Sequence, residues 1–379
     1  MLLLVASAAG CAAAPGGAPP ALRAAGWAAL PGWEQDRAAA ALPALAAQCA
    51  SGRRMPGPPT ALVPAALLGD AAWWERICSD AASLPPADDD AARAFVAARF
   101  RPVRLDAPGL LTGYFEPVHA ACLAAGRGCA SPVLGRPPRL VDVEIRRIDP
   151  DAAPGRIRGC IEAGALAPCP TRAAIEAGAL PDAPVLAWMD PVEKFFMQIQ
   201  GSGRLALPGG GVLRLGYDSQ NGAPYVPIGR VLLARGALER PVSMQAIRAW
   251  LERHPAEAGA VLDANPAYVF FRRLDLPQDA GPPGALGVNL LAGRSAAVDP
   301  AFVPLGLPLY LAPGPGADSE VLPPRLVLAQ DTGGAIRGAG RVDLFIGTGR
   351  TAGEQAGRLA APLRFWLLLP RLGAAGETR

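Results

Sequence analysis

The chain has 379 residues, 51% hydrophobic and 18% charged, with 44 glycines and 42 prolines; that length supports two domains and a core needing no cross-links, and the composition argues against a long helical bundle. The formal net charge of +3 comes from scattered arginines and a single lysine, Lys194, so no basic stripe follows a phosphate backbone and nucleic acid is not an expected partner. Two histidines, His119 and His254, are too few for most imidazole metal sites or nucleophilic triads, which leaves carboxylates to carry any chemistry and implies neither metal nor cofactor.

Residues 1–11, MLLLVASAAGC, form a short apolar stretch ending in small residues and a cysteine. This is the pattern of an export signal with a lipoprotein cleavage site, with Cys11 as the lipidated residue; a plain secretory signal cut after an alanine is the alternative. No run of about 18 apolar residues comes after it, so membrane contact is expected only through the lipid anchor. Of the seven cysteines, the six beyond Cys11 form an even set suited to an oxidising compartment. They fall as near neighbours, predicting the bridges Cys49–Cys78, Cys122–Cys129 and Cys160–Cys169.

Residues 12–32 are rich in Ala, Pro and Gly and read as a tether. From Trp33 to Phe100 the apolar residues of DRAAAALPALAAQCA and DAAWWERICSDAASL recur at helical spacing, and Asp88 to Asp90 can cap AARAFVAARF. The character changes at LLTGYFEPV, residues 110–118, where a domain boundary is placed. Beyond it the chain is strand-like. VEKFFMQIQGSG alternates, with Gln198 and Gln200 on one face and Met197 and Ile199 on the other, and RLAL and VLRL flank PGGG as a hairpin. After Gly236 the pattern turns helical, with Ser243 capping MQAIRAWLERH and Asn265 closing the next helix before Pro266. The segments AYVFFRRL, GLPLYLA, RLVLAQ and RVDLFIG then read as short strands of a compact barrel, with a helix at 351–361.

Two aspartates stand out in this last part. Asp331 lies where a strand runs into Thr-Gly-Gly and reads as a turn residue or a supporting group. Asp343 lies inside the apolar segment VDLF, where a carboxylate is out of place. Burial there should raise its pKa and keep a transferable proton near neutral pH, the requirement for breaking a glycosidic bond. LAQDTGGA also looks like the Asp-Thr-Gly loop of aspartic proteases, but those enzymes need two such loops sharing one proton, and this chain carries one.

Taken in order, TGYFEP, MQIQGSG, GYDSQNGAPYVPIGR, NPAYVFFR and QDTGGAIRGAGRVDLFIGTG resemble the membrane-bound lytic murein transglycosylase A family with its three-aspartate C-terminal domain, over roughly residues 100–365. The resemblance implies a mainly β protein with a helical N-terminal part. A double-psi β-barrel would be built from residues 33–112 and 238–379, with a β-rich glycan-binding domain, residues 113–237, inserted between them. It further implies that Asp343 is the single catalytic acid and base, cutting peptidoglycan glycan strands to leave 1,6-anhydro-MurNAc ends, in the periplasm and at the outer membrane of a Gram-negative bacterium. For sugar binding the polar, aromatic and glycine residues of the inserted domain and its border are the candidates: Tyr114, Glu116, Gln200, Gly201, Ser202, Gly203, Tyr217 and Asn221, the two glycines for close approach of a chain. A non-catalytic wall-binding module is the alternative, and it would have no use for Asp343.

Overall fold

The computed structural model describes residues 20–53, 55–151, 156–240, 242–314 and 323–372. Cys11 and residues 12–19 of the expected tether lie outside them. The rest of that tether is structured: Ala21–Ala24 pairs antiparallel with Val103–Asp106, Leu30 is buried, and Trp27 packs on Trp33 with ring centroids 4.6 Å apart. The aromatic pair supplies the apolar contact that an Ala/Pro/Gly-rich segment otherwise lacks.

The N-terminal helices form where the caps lie. Ala71–Ala82 is capped by Asp70, whose carboxylate accepts from Trp73 N at 2.8 Å, and Asp89–Arg99 by Asp88, which accepts from Ala91 N at 2.8 Å. A further helix, Leu42–Ala50, is tied to the first sheet by Gln330, whose side-chain amide donates to Ala44 O and to Gln48 Oε1.

That first sheet has eight strands, in the spatial order Ala21–Ala24, Phe100–Asp106, Ala360–Pro370, Pro308–Pro313, Arg325–Asp331, Ser295–Val298, Arg341–Thr348 and Gly109–Glu116. Gly109–Thr112 also pairs with Ala360–Leu363, so the pairings return to a strand already in the sheet. The fully buried Leu111, Val298, Leu309, Val327, Val342 and Leu367 belong to one core, which the helices cover. Gly113 is needed on the Gly109–Glu116 strand because a Cβ there would lie 3.0 Å from Ala356 Cα in the helix Gly349–Arg358.

The second body contains a four-stranded sheet, Val269–Arg273, Val212–Gln220, Ser202–Ala206 and Val118–Ala120, with a two-stranded and a three-stranded sheet beside it. The expected boundaries differ from these pairings at both ends. Gly113–Glu116 is part of the first sheet, and Val269–Arg273 pairs with Val212–Gln220, which carries the second body past 237 to Arg273. The expected hairpin is present, Ser202–Ala206 against Val212–Gln220, and Ser243 caps Met244–Arg253.

Helices, among them Arg172–Glu176 and Ile228–Ala234, interrupt the stretch expected to be strand-like, and one segment read as a strand is of a different type. Pro191–Gln200 is a helix, not a strand. Asp190 accepts from Val192 N and Glu193 N, Pro191 occupies the first turn, and Gly201 ends the helix at φ 78°. These start and stop signals outweigh an alternation that spans only a few residues. The helix joins Ile228–Ala234, Met244–Arg253 and Pro255–Asp263 around Phe195, Phe196, Leu232, Trp250 and Val261.

Cys49 is bonded to Cys78, Cys122 to Cys129 and Cys160 to Cys169, with Cα separations of 5.6, 6.0 and 4.9 Å. Among the described residues no helix is long and apolar enough to cross a membrane.

Candidate active site

Three adjacent strands bring the acidic residues together. Ala297, on Ser295–Val298, is the register partner of Asp331 on one side and of Asp343 on the other. Two interstrand spacings thus separate the aspartates, roughly 10 Å between their backbones. On the far side of Arg341–Thr348, the parallel strand Gly109–Glu116 sets Thr112 opposite Asp343 and Tyr114 opposite Phe345. Alternation puts Val342 and Leu344 into the core, fully buried, and turns Asp343 to the other face.

The hydrogen bonds divide the two carboxylates by role. Asp331 Oδ2 accepts from the Tyr114 hydroxyl at 2.7 Å and its Oδ1 from the Ala285 N–H at 2.8 Å. Burial raises its pKa against these bonds. Burial and the Asp331 charge push the Tyr114 phenol well above its ordinary range, so it remains a donor. Asp343 Oδ1 accepts from the Thr112 hydroxyl at 2.7 Å. The Asp343 pKa is raised to about 6, chiefly by desolvation, with Thr112 and Arg341 pulling it down and Asp331 adding a smaller upward push. Arg341 Nη2 in turn donates to Thr112 Oγ1 at 3.3 Å. The site therefore holds one carboxyl group with both oxygens engaged and a second, half-buried like the first, with one oxygen that has no hydrogen-bond partner among the described residues.

Of the residues expected to bind sugar, Tyr114 alone joins this cluster, as the hydrogen-bond donor to Asp331. Glu116 is fully buried; Arg204 bonds it at 2.8 Å and Arg214 at 3.1 Å, both from the second body, and the Thr348 hydroxyl at 3.1 Å. It ties the two bodies together and has no surface to offer a ligand. Asn221 is buried too, donating to Pro170 O and Pro266 O and accepting from Tyr268 N. Ser202 is buried, Gly201 serves the helix end, and Gly203 admits Met197, whose Sδ would sit 2.6 Å from an added Cβ. Gln200 accepts from Phe115 N at 3.2 Å. Tyr217 is exposed and takes a bond from Arg158.

Neither histidine enters the site. His119 is buried beside Glu193, with its pKa lowered to about 4 by burial, and His254 stacks on Trp250 at the end of a helix. Thr112 and Arg341 were not anticipated. Each lies two residues from an expected site residue on the same strand, Thr112 from Tyr114 and Arg341 from Asp343, so period-two alternation puts them on the same faces.

Fold and site define a mainly β, two-body protein in which an inserted segment splits a first sheet carrying a desolvated carboxyl group. Residues 110–272 match the MltA specific insert domain and residues 294–369 the 3D domain. The chain is similar to a membrane-bound lytic murein transglycosylase of Agrobacterium tumefaciens of known crystal structure, 32% identical, with a TM-score of 0.82 over 93% of this chain and 98% of that one. It is also similar to Escherichia coli MltA crystallised with bound chitohexaose, 27% identical, TM-score 0.59, over 79% and 82% of the two chains. With the membrane-bound lytic murein transglycosylase A of Escherichia coli it shares 39% identity over 199 residues, 50% of this chain and 53% of that protein, so the match spans about half the length of that curated relative. The chain belongs to the membrane-bound lytic murein transglycosylase A family.

Proposed function

We propose that this protein is a lytic transglycosylase that cleaves the MurNAc-β-1,4-GlcNAc bond of peptidoglycan, with Asp343 as general acid and then general base. Asp343 gives its proton to the glycosidic oxygen, which leaves as the GlcNAc 4-hydroxyl. The C6 hydroxyl of the same MurNAc then bonds to C1, and its proton returns to the Asp343 carboxylate, closing a 1,6-anhydro ring without consuming water. One group performs both steps because the attacking hydroxyl is already tethered to the substrate.

The observation that carries this reading is the division of labour between the carboxylates. A hydrolase ordinarily needs a second free carboxylate as nucleophile or to activate water, whereas both Asp331 oxygens are occupied by Tyr114 and Ala285. Asp343, raised to about 6, is still protonated in part of the population near neutral pH. The names of the relatives and the sugar bound by one of them agree with this substrate class.

On the same reading the first body is the double-psi β-barrel, and the glycan lies between the bodies, near the junction that Glu116 bridges. The protein is a lipoprotein anchored at Cys11 in the cell envelope. Fatty-acid labelling that survives Cys11→Ser would remove the anchor.

Digestion of purified sacculi followed by mass spectrometry tests the reaction. Anhydro-MurNAc ends are expected from the wild type and are lost by several orders of magnitude in Asp343→Asn, which still binds glycan. Reducing MurNAc ends would show hydrolysis instead, and no cleavage by the wild type would leave a wall-binding module.

A further inference from the structure

We propose that Arg341 is a positioning residue for Asp343, acting through Thr112 to fix which carboxyl oxygen carries the transferable proton. The proposal rests on the single-acid reading above.

The geometry sets the direction of each hydrogen bond. A guanidinium has donors and no acceptor, so in the contact of Arg341 Nη2 with Thr112 Oγ1 at 3.3 Å the hydroxyl oxygen must accept. The one hydroxyl proton of Thr112 is then free to point along its 2.7 Å contact with Asp343 Oδ1. An oxygen that accepts this bond is the carbonyl-like oxygen of the protonated acid, so the proton resides on Oδ2. Oδ2 has no hydrogen-bond partner among the described residues and is not sealed inside the protein, so it remains open to a substrate.

Without Arg341 the Thr112 hydroxyl could rotate and accept from the protonated carboxyl group, which would park the proton on Oδ1, inside the protein. Arg341 Nη1 also reaches Leu110 O at 3.5 Å, which holds the guanidinium along the same strand pair. Among the described residues no carboxylate lies within ion-pair distance of Arg341. Its charge is therefore spent on the site: it favours the ionised Asp343 that the second, proton-accepting step requires.

The test uses the full chain with Arg341→Ala, Arg341→Lys, Thr112→Val and the double variant Arg341→Ala/Thr112→Val, each checked for an unchanged melting profile. Two quantities are read: the pH dependence of anhydro-muropeptide release, and the titration of the Asp343 carboxyl carbon by NMR, which needs no turnover. In Arg341→Ala the Asp343 titration and the alkaline limb should move up by about one unit, and kcat should fall roughly tenfold or more with KM little changed. Lysine should restore most of the titration shift. Thr112→Val should lower kcat as well, and the double variant should be no slower than the worse single one, because both changes break one chain.

An unmoved titration in Arg341→Ala, or fully additive losses in the double variant, would overturn the proposal while leaving single-acid catalysis intact. A wild type that yields no anhydro ends would sink that reading instead, and the NMR titration would still decide the role of Arg341.

Discussion

Replacing Asp343 by Asn should stabilise the protein while abolishing turnover, and the gain should depend on pH. The carboxyl group titrates at about 6 in the folded chain against a reference of 3.8, because burial penalises the charged form more than Thr112 and Arg341 favour it. The folded state thus holds this proton more tightly than the unfolded one. Its contribution is fully present below 3.8, is lost as pH rises through the window from 3.8 to about 6, and stays lost above it. At about 1.4 kcal/mol per pKa unit the span corresponds to about 3 kcal/mol, and solvent at the half-buried side chain reduces this to about 1–3 kcal/mol. Asparagine does not titrate and keeps an oxygen that accepts from Thr112. The melting temperatures of wild type and Asp343→Asn should therefore lie close together at about pH 4 and diverge by a few degrees by about pH 8, the variant being the higher. Titrating groups away from the site affect both proteins alike and cancel in the difference, and Asp331, which acts on Asp343, adds a smaller effect. A gap independent of pH, or a variant that melts lower under alkaline conditions, would show that the folded chain imposes no penalty on the Asp343 charge and would remove the physical basis for its acid role.

Activity of the wild type should show an alkaline limb falling as pH rises through about 6 in the pH dependence of kcat/KM, since the acid form of Asp343 is consumed there. Asp331→Asn should be much milder than Asp343→Asn, because the amide oxygen can still accept from Ala285 N while its NH2 donates to the Tyr114 hydroxyl oxygen; a loss equal to that of Asp343→Asn in single-turnover assays would assign Asp331 a proton of its own. Glu116→Ala leaves Arg204 and Arg214 facing each other without their shared carboxylate, at a cost of about 3–5 kcal/mol read by denaturant unfolding; an unchanged midpoint would mean that the buried ion cluster does not hold the bodies together. Replacing Cys49 and Cys78 by Ser opens a loop with a sequence separation of 29 and should cost about 3.5 kcal/mol in the chain-entropy description without preventing folding.

Local signals in the sequence determined the features that depend only on near neighbours. A carboxylate that interrupts the apolar run of Val342, Leu344, Phe345 and Ile346 stands out, so Asp343 was visible before the fold was. Asp88 and Ser243 precede their helices with the side chain that the free N–H groups need. The tertiary structure decided everything that depends on a partner far along the chain. Thr112 is 231 residues from Asp343 and Tyr114 is 217 from Asp331, and only the pairing of Gly109–Glu116 with Arg341–Thr348 brings them together. Glu116 and Asn221 have the chemistry of sugar-binding side chains, yet Arg204 and Arg214 enclose the one, while the Pro170 and Pro266 carbonyls hold the other. A side chain's type states which bonds it can make; whether those bonds are spent inside the protein or left for a ligand is set by which strands lie beside it, and strand pairing is a long-range choice that no local pattern encodes.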